Sequence, residues 1–275
     1  LLRMYCGDLT VIVPHNAHSS GTVISLGANR IVMTKQATLS PIDPSLNNPL
    51  NPIIPNHPGK ATTPVSVEAV KGYIELAKEE FSIQDQVALG DILIKLTEYV
   101  HPLVLGQVYR SRAQIKMIAS KLLKNQVDDQ EKVSKIIDFL CSDSGSHDYT
   151  INRREAQTEL GLNIEKPTTE QYSTIKDVYD DFSSELGFGQ VFDPQKKKGA
   201  YAVRRGFIES IVGGSDFFVT EGRCSVAATP DGPTLKVDKL FEGWRHDVAP
   251  LMPQTAQVIT PEGEVHYEQD DAFRI

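Results

Sequence analysis

The segment Val11-Ile12-Val13-Pro14-His15-Asn16-Ala17-His18-Ser19-Ser20-Gly21-Thr22 sets a serine between an apolar run and a stretch of small residues. A strand that turns sharply into a helix holds such a serine where backbone N–H groups and the helix dipole stabilise negative charge, as an acyl-transfer nucleophile requires. Serine is equally a favoured helix N-cap, so Ser19 by itself carries two readings, nucleophile and cap. A hydroxyl nucleophile needs a base, and imidazole is the usual one near neutral pH. His147 and His101 are candidates on that ground, and His15 and His18 flank the serine. His147 adjoins Asp148, but neighbours on an extended segment point to opposite sides, so both face one site only if the turn bends. His101, before Pro102, serves equally to end or cap a helix. Cys6, Cys141 and Cys224 are odd in number, far apart and without Cys-x-x-Cys spacing, which reads as reduced thiols rather than a disulfide frame or zinc site.

The elements that must position these groups alternate in type. Thr10–Val13 is a short apolar run, expected to be a strand buried on both faces and ended by Pro14. Ser19 to Gly27 is small and apolar, as suits a helix packed tightly on a sheet, and Arg30–Met33 and Ala37–Leu39 follow as strands. This succession predicts an α/β fold with a parallel sheet. Residues 41–65 are rich in proline and asparagine and read as a long irregular loop. Helical periodicity then takes over, with Ser66 as a cap, helices over 89–99, 106–125 and 128–140, and a short one over 152–160 stopped by Gly161. Thr168 with Gln171 forms a capping-box pattern for an acidic helix ending at Gly187. Beyond residue 194 the pattern changes to strands around 201–203, 217–219 and 234–237, with turns at Gly213-Gly214 and Asp231-Gly232. Lys196-Lys197-Lys198 reads as a solvated linker. The expected division is a domain over 1–190, with a helical insertion, and a small β-rich appendage with an acidic tail over 195–275.

The 275 residues carry a net charge of -8, which argues against recognition of a nucleic-acid backbone. A mean hydropathy of -0.25, with no apolar run near twenty residues, argues against a membrane-spanning helix. The opening Leu1-Leu2-Arg3-Met4 has no charged lead, apolar stretch or cleavage site, so no signal peptide is expected. A cytoplasmic or membrane-peripheral location follows. No Gly-x-Gly-x-x-Gly fingerprint occurs, and neither a metal nor an organic cofactor is expected.

Taken together, Val11–Thr22, the helix running into Gly27–Met33, and Leu39-Ser40-Pro41-Ile42-Asp43-Pro44 resemble the serine dehydrogenase proteinase family. Its members are related to signal peptide peptidase A and share the ClpP/crotonase fold. The resemblance continues in Val100-His101-Pro102-Leu103-Val104-Leu105-Gly106 with Arg110-Ser111. It resumes in Ser146-His147-Asp148-Tyr149-Thr150-Ile151, leading to Glu155-Ala156 and Leu160-Gly161-Leu162, and covers about residues 8–165. The resemblance implies Ser19 as the nucleophile and Asp148 at the position of the ClpP triad aspartate. The ClpP histidine position falls near Ile42, which cannot take a proton, so a Ser-His-Asp triad of that type is not supported. Relatives of signal peptide peptidase A use a lysine, and Lys60 stands in a similar Gly-Lys context, with a solvated loop cation as the alternative. Lys71 reads as a surface residue, and Asp43 as a brace of the loop. The resemblance implies one oxyanion donor from the Ser20 amide, and a second from a Gly-Gly loop in a βαβ unit upstream of Val11. Only ten residues precede Val11, so the expectation is a fold lacking its first βαβ unit, in an N-terminally shortened chain. The implied activity is a serine peptidase acting on a peptide or protein substrate through a Ser19 acyl-enzyme. The implied assembly is a homo-oligomer with peripheral membrane association. The alternative is a catalytically inactive module of the same fold that binds peptides or partner subunits.

Overall fold

The computed structural model describes residues 2–42, 44–55, 61–143, 148–190, 192–193, 199–229 and 232–247, with the pairs 258–259 and 265–266 beyond them. It divides into two compact units, Leu1–Ile175 and Lys176–Ile275.

The first unit opens with β1 (Thr10–Val13), β2 (Asn16–Ala17), α1 (Ser20–Leu26), β3 (Arg30–Met33) and β4 (Thr38–Leu39). The Pro- and Asn-rich stretch leaves the sheet through β5 (Ser45–Leu46) and returns through β6 (Val65–Ser66), antiparallel to it. Bonds from the Ile54 N–H to the Ala61 carbonyl (2.8 Å) and from the Thr63 N–H to the Pro52 carbonyl (2.8 Å) tie the two arms together. Among its described residues the stretch is therefore less irregular than its composition implies. Then come α2 (Val67–Glu75), α3 (Gln86–Thr97), α4 (Pro102–Leu123) and α5 (Gln130–Asp138). Ser66 caps α2 by accepting from the Glu68 and Ala69 N–H groups. The unit closes with β7 (Ile151–Asn152), α6 (Arg153–Thr158), β8 (Ile164–Glu165) and α7 (Thr169–Leu186), which runs on into the second unit. The capping box before α7 is formed in both directions: Thr168 N–H to Gln171 Oε1 at 2.9 Å, and Gln171 N–H to Thr168 Oγ1 at 3.2 Å.

Two small sheets organise these elements. In the order β1-β3-β8 all strands are parallel, with Val11 opposite Ile31 and Ile31 opposite Ile164. In the order β2-β4-β7, β2 is parallel to β4 and β7 antiparallel to it. Burial of β1 on both faces is not what the structure shows, since Ile12 is 52% exposed. β1 ends its sheet, and one of its faces stays open. The core gathers Leu26, Ile31, Met33, Leu39, Leu123, Leu140 and Ile151 from strands and helices of both sheets. Each such side chain contributes about 1.5–3 kcal/mol relative to exposure. By contrast α3 sends no residue into the core, and Val87, Leu93 and Ile94 lie exposed on it.

Cys141 belongs to the core and Cys6 is half-buried; both are free thiols. Burial pushes the Cys141 thiol up to about 11. Because the thiolate is the reacting species, iodoacetamide at pH 8 is expected to alkylate Cys6 while leaving Cys141 until denaturant is added. Peptide mass spectrometry reads the order, and early modification of Cys141 would contradict this packing.

In the second unit, β9 (Gly199–Ser210), β10 (Gly214–Thr229) and β11 (Gly232–Asp247) form an antiparallel sheet with β10 in the centre. These strands are longer than the alternation around 201–203, 217–219 and 234–237 implied, because polar and small residues continue the ladder. Phe182 packs edge-on against Phe207, their ring centres 4.6 Å apart, and Arg204 Nη1 donates to both Glu185 carboxylate oxygens, at 2.9 and 2.8 Å. Gly222 sits at a register shift of β10, where any Cβ would fall on the Asp238 carbonyl. The pairs β12 (Val258–Ile259) and β13 (Val265–His266) are antiparallel.

Candidate active site

Ser19 lies between β2 and α1 with φ 50° and ψ -109°. Backbone of that kind favours glycine, and other residues enter it only where their surroundings hold them there. Ser19 occupies the N-cap position of α1, yet its side chain makes no capping hydrogen bond. The first turn is closed by backbone instead: Gly21 N–H donates to the His18 carbonyl at 2.8 Å, and Val23 N–H to the Ser19 carbonyl at 3.1 Å. The hydroxyl is thus not spent on the helix. Ser20 opens the helix, and an N–H at that position has no intrahelical carbonyl to pair with.

A set of buried hydroxyls holds the turn. The Ser19 N–H donates to Ser40 Oγ at 2.8 Å, and Ser40 Oγ donates to the Pro41 carbonyl at 2.9 Å. Thr22 Oγ1 accepts from the Ser40 N–H at 3.0 Å. Its own proton is shared between the Ala17 carbonyl at 2.7 Å and the Ser40 carbonyl at 2.9 Å. Thr22 and Ser40 are 0% and 1% exposed. Gly21 lets the helix start close in, since a Cβ there would lie 3.2 Å from the Ala17 Cβ.

Strand pairing brings the relevant segments to one end of the sheet. Ala17 stands opposite Leu39, so Ser19 and Ser40 leave neighbouring parallel strands at the same end. Leu39 also pairs with Ile151 of antiparallel β7, so the segment from Asp148 enters where β4 leaves. Asp148 is exposed. The residue after it is clipped down: Tyr149 Oη donates to Glu155 Oε1 at 2.7 Å, and its ring meets Phe139 edge-on. That bond to the Glu155 carboxylate raises the Tyr149 phenol above its ordinary value. Asn152 caps α6 by accepting from the Glu155 N–H at 3.1 Å.

Lys60, His147 and Asp43 lie outside the described residues. Ile42 is in the core, its N–H donating to the Leu140 carbonyl at 2.9 Å, so the position that the resemblance gives to histidine is a packing position. His101 caps α4, its Nδ1 accepting from the Leu103 N–H at 3.2 Å. Lys71 pairs with Glu75 at 3.2 Å on α2. His18 Nε2 lies 2.9 Å from Thr38 Oγ1, which donates to Asn16 Oδ1 at 2.9 Å. The residues that sequence reasoning passed over are Thr22 and Ser40. Both were inside the quoted motifs, but a hydroxyl that bridges two segments leaves no periodic signal. Among the described residues, no three His, Cys, Asp or Glu side chains gather to hold a metal ion, and no helix is long and apolar enough to cross a membrane.

A parallel α/β arrangement that presents a serine on a strained strand-to-helix turn is consistent with the ClpP-like class of fold. Within that class, residues 1–69 match the ClpP-like SDH-type serine proteinase family. The match bears out the serine dehydrogenase proteinase resemblance and supports a peptidase-like function in coarse terms. The chain is similar to two proteins of Methanocaldococcus jannaschii. One is Uncharacterized protein MJ0137, 30% identical over 179 residues, which are 65% of this chain and 51% of that protein. The other is Uncharacterized protein MJ1495, 26% identical over 178 residues, which are 65% and 49%. The chain thus spans about half the length of these curated relatives. No solved structure matches it significantly.

Proposed function

We propose that Ser19 is the nucleophile of a serine peptidase-like hydrolase that cleaves peptide bonds through an acyl-enzyme. The observation that carries this is the Ser19 turn: a non-glycine residue held at φ 50°, its hydroxyl unused by the helix it begins, inside the segment that matches the family. Ser19 Oγ adds to the peptide carbonyl carbon as its proton passes to a base. The oxyanion so formed is met by the Ser20 amide. Collapse expels the amine, which takes the proton back, and water then adds to the ester and releases the acid. Asp148, His147 and Lys60 are the candidate base and its partners. The proposal includes a peptide or protein substrate and a homo-oligomer.

A second reading, a non-catalytic peptide-binding or oligomerisation module, draws on Ile42, buried where a triad histidine would stand. A fluorophosphonate probe separates the two. The protein is expected to be labelled on the peptide containing Ser19, as located by mass spectrometry. A folded preparation that stays unlabelled favours the module.

A further inference from the structure

We infer that Ser40 is a positioning residue for the nucleophile: its buried hydroxyl fixes the Ser19 backbone and thereby aims Ser19 Oγ. The inference rests on the nucleophile reading above. A residue at φ 50° stays there only if something offsets the strain, and among the described residues the partner of the Ser19 N–H is Ser40 Oγ at 2.8 Å. Ser40 in turn is fixed at three of its atoms. Its N–H and its carbonyl are both bonded to Thr22 Oγ1, and its Oγ–H is committed to the Pro41 carbonyl. The Oγ lone pair facing Ser19 is therefore directed by bonds that Ser19 does not share. At 1% exposure, water does not compete for it.

Two consequences follow from this geometry. The Ser19 amide is consumed, so it is not an oxyanion donor, and the duty falls to the amide of Ser20. And the strap that leaves β4 through Ser40, Pro41 and Ile42 is joined to the serine turn by the bonds of Ser40 to Ser19 and Thr22, while its Ile42 N–H is pinned to the Leu140 carbonyl. Ser40 meets neither the substrate nor the reacting atoms; it acts through the φ and ψ of Ser19. A misplacement of the order of 1 Å at a reacting atom slows a step by up to about a hundredfold.

The test compares Ser40→Ala, Ser40→Cys and the wild type, with Val133→Ala as a control that loosens the core at α5, away from the serine turn. Fluorophosphonate labelling is followed at rising probe concentration, and exchange of the Ser19 amide is followed by hydrogen–deuterium exchange. Ser40→Ala is expected to lower the limiting labelling rate by about 10–100-fold with the half-saturating concentration unchanged. It should also lose the protection of the Ser19 amide. Ser40→Cys, of similar volume and weaker as an acceptor, is expected to fall between. Val133→Ala should keep the wild-type rate and protection at a temperature where all four are folded. A Ser40→Ala rate equal to that of the wild type or of Val133→Ala overturns the inference, as does an unchanged Ser19 amide. If the wild type is itself unlabelled, the nucleophile reading fails and this role falls with it, whereas the amide exchange still reports whether the bond exists.

Discussion

Ser19→Ala is expected to remove fluorophosphonate labelling and peptide hydrolysis, a loss on the order of 10⁴- to 10⁶-fold where a hydroxyl nucleophile is deleted. The melting temperature should scarcely move. The hydroxyl makes no capping bond, so its deletion orphans no helical N–H. An ordinary N-cap serine behaves in the opposite way: alanine there costs about 1 kcal/mol, or roughly 2–4 °C in Tm for a domain of this size, and leaves activity alone. One variant therefore distinguishes the nucleophile from the cap by the sign of both readouts. Ser19→Gly sharpens the contrast. Glycine enters φ 50° without steric cost, so it is expected to raise Tm while also abolishing labelling. A serine kept where glycine is the more stable choice is the signature of strain retained for a site. If Ser19→Ala keeps wild-type labelling and loses several degrees of Tm, Ser19 is a cap and the peptidase reading fails.

What could be read from the residues alone depended on how local the cause was. The helix starts at Ser66 and Thr168 were legible because a cap and the amides it serves lie within three residues. The β1–α1–β3 succession was legible because apolar runs of that length and spacing have few other uses. The open face of Ile12 was not, because exposure depends on which elements pack over that face of β1. Nor was the role of His101 settled: a histidine before proline looks the same whether it caps or catalyses, and only its Nδ1 contact with the Leu103 N–H decides. The serine turn was found through its motif, but the device that holds it joins residues 18 and 21 positions apart. Such a bridge depends on the parallel pairing of Ala17 with Leu39, which no single stretch of sequence encodes.

That bridge makes Thr22→Val the most damaging conservative change in the turn. Valine has the shape and branching of threonine and fills the same buried space, so no cavity or clash enters the comparison. What it lacks is the hydroxyl that serves three backbone groups: the Ser40 N–H as acceptor, and the Ala17 and Ser40 carbonyls as shared donor. At 0% exposure of Thr22, water does not replace it. Each buried group left unpaired costs about 1–3 kcal/mol. The two carbonyls share a single proton, so the losses add incompletely, and a total of about 3–5 kcal/mol is expected. At roughly 2–4 °C per kcal/mol this is a fall of about 10 °C in Tm, read by calorimetry or circular dichroism. Thr22→Ser keeps the hydroxyl and loses one methyl, so it should cost only about 1 kcal/mol. The labelling rate at Ser19 should follow the same order, because Ser40 aims the nucleophile only while Thr22 holds Ser40. A Thr22→Val protein within 1 kcal/mol of the wild type would show that the strap holds the serine turn by packing, without the hydroxyl.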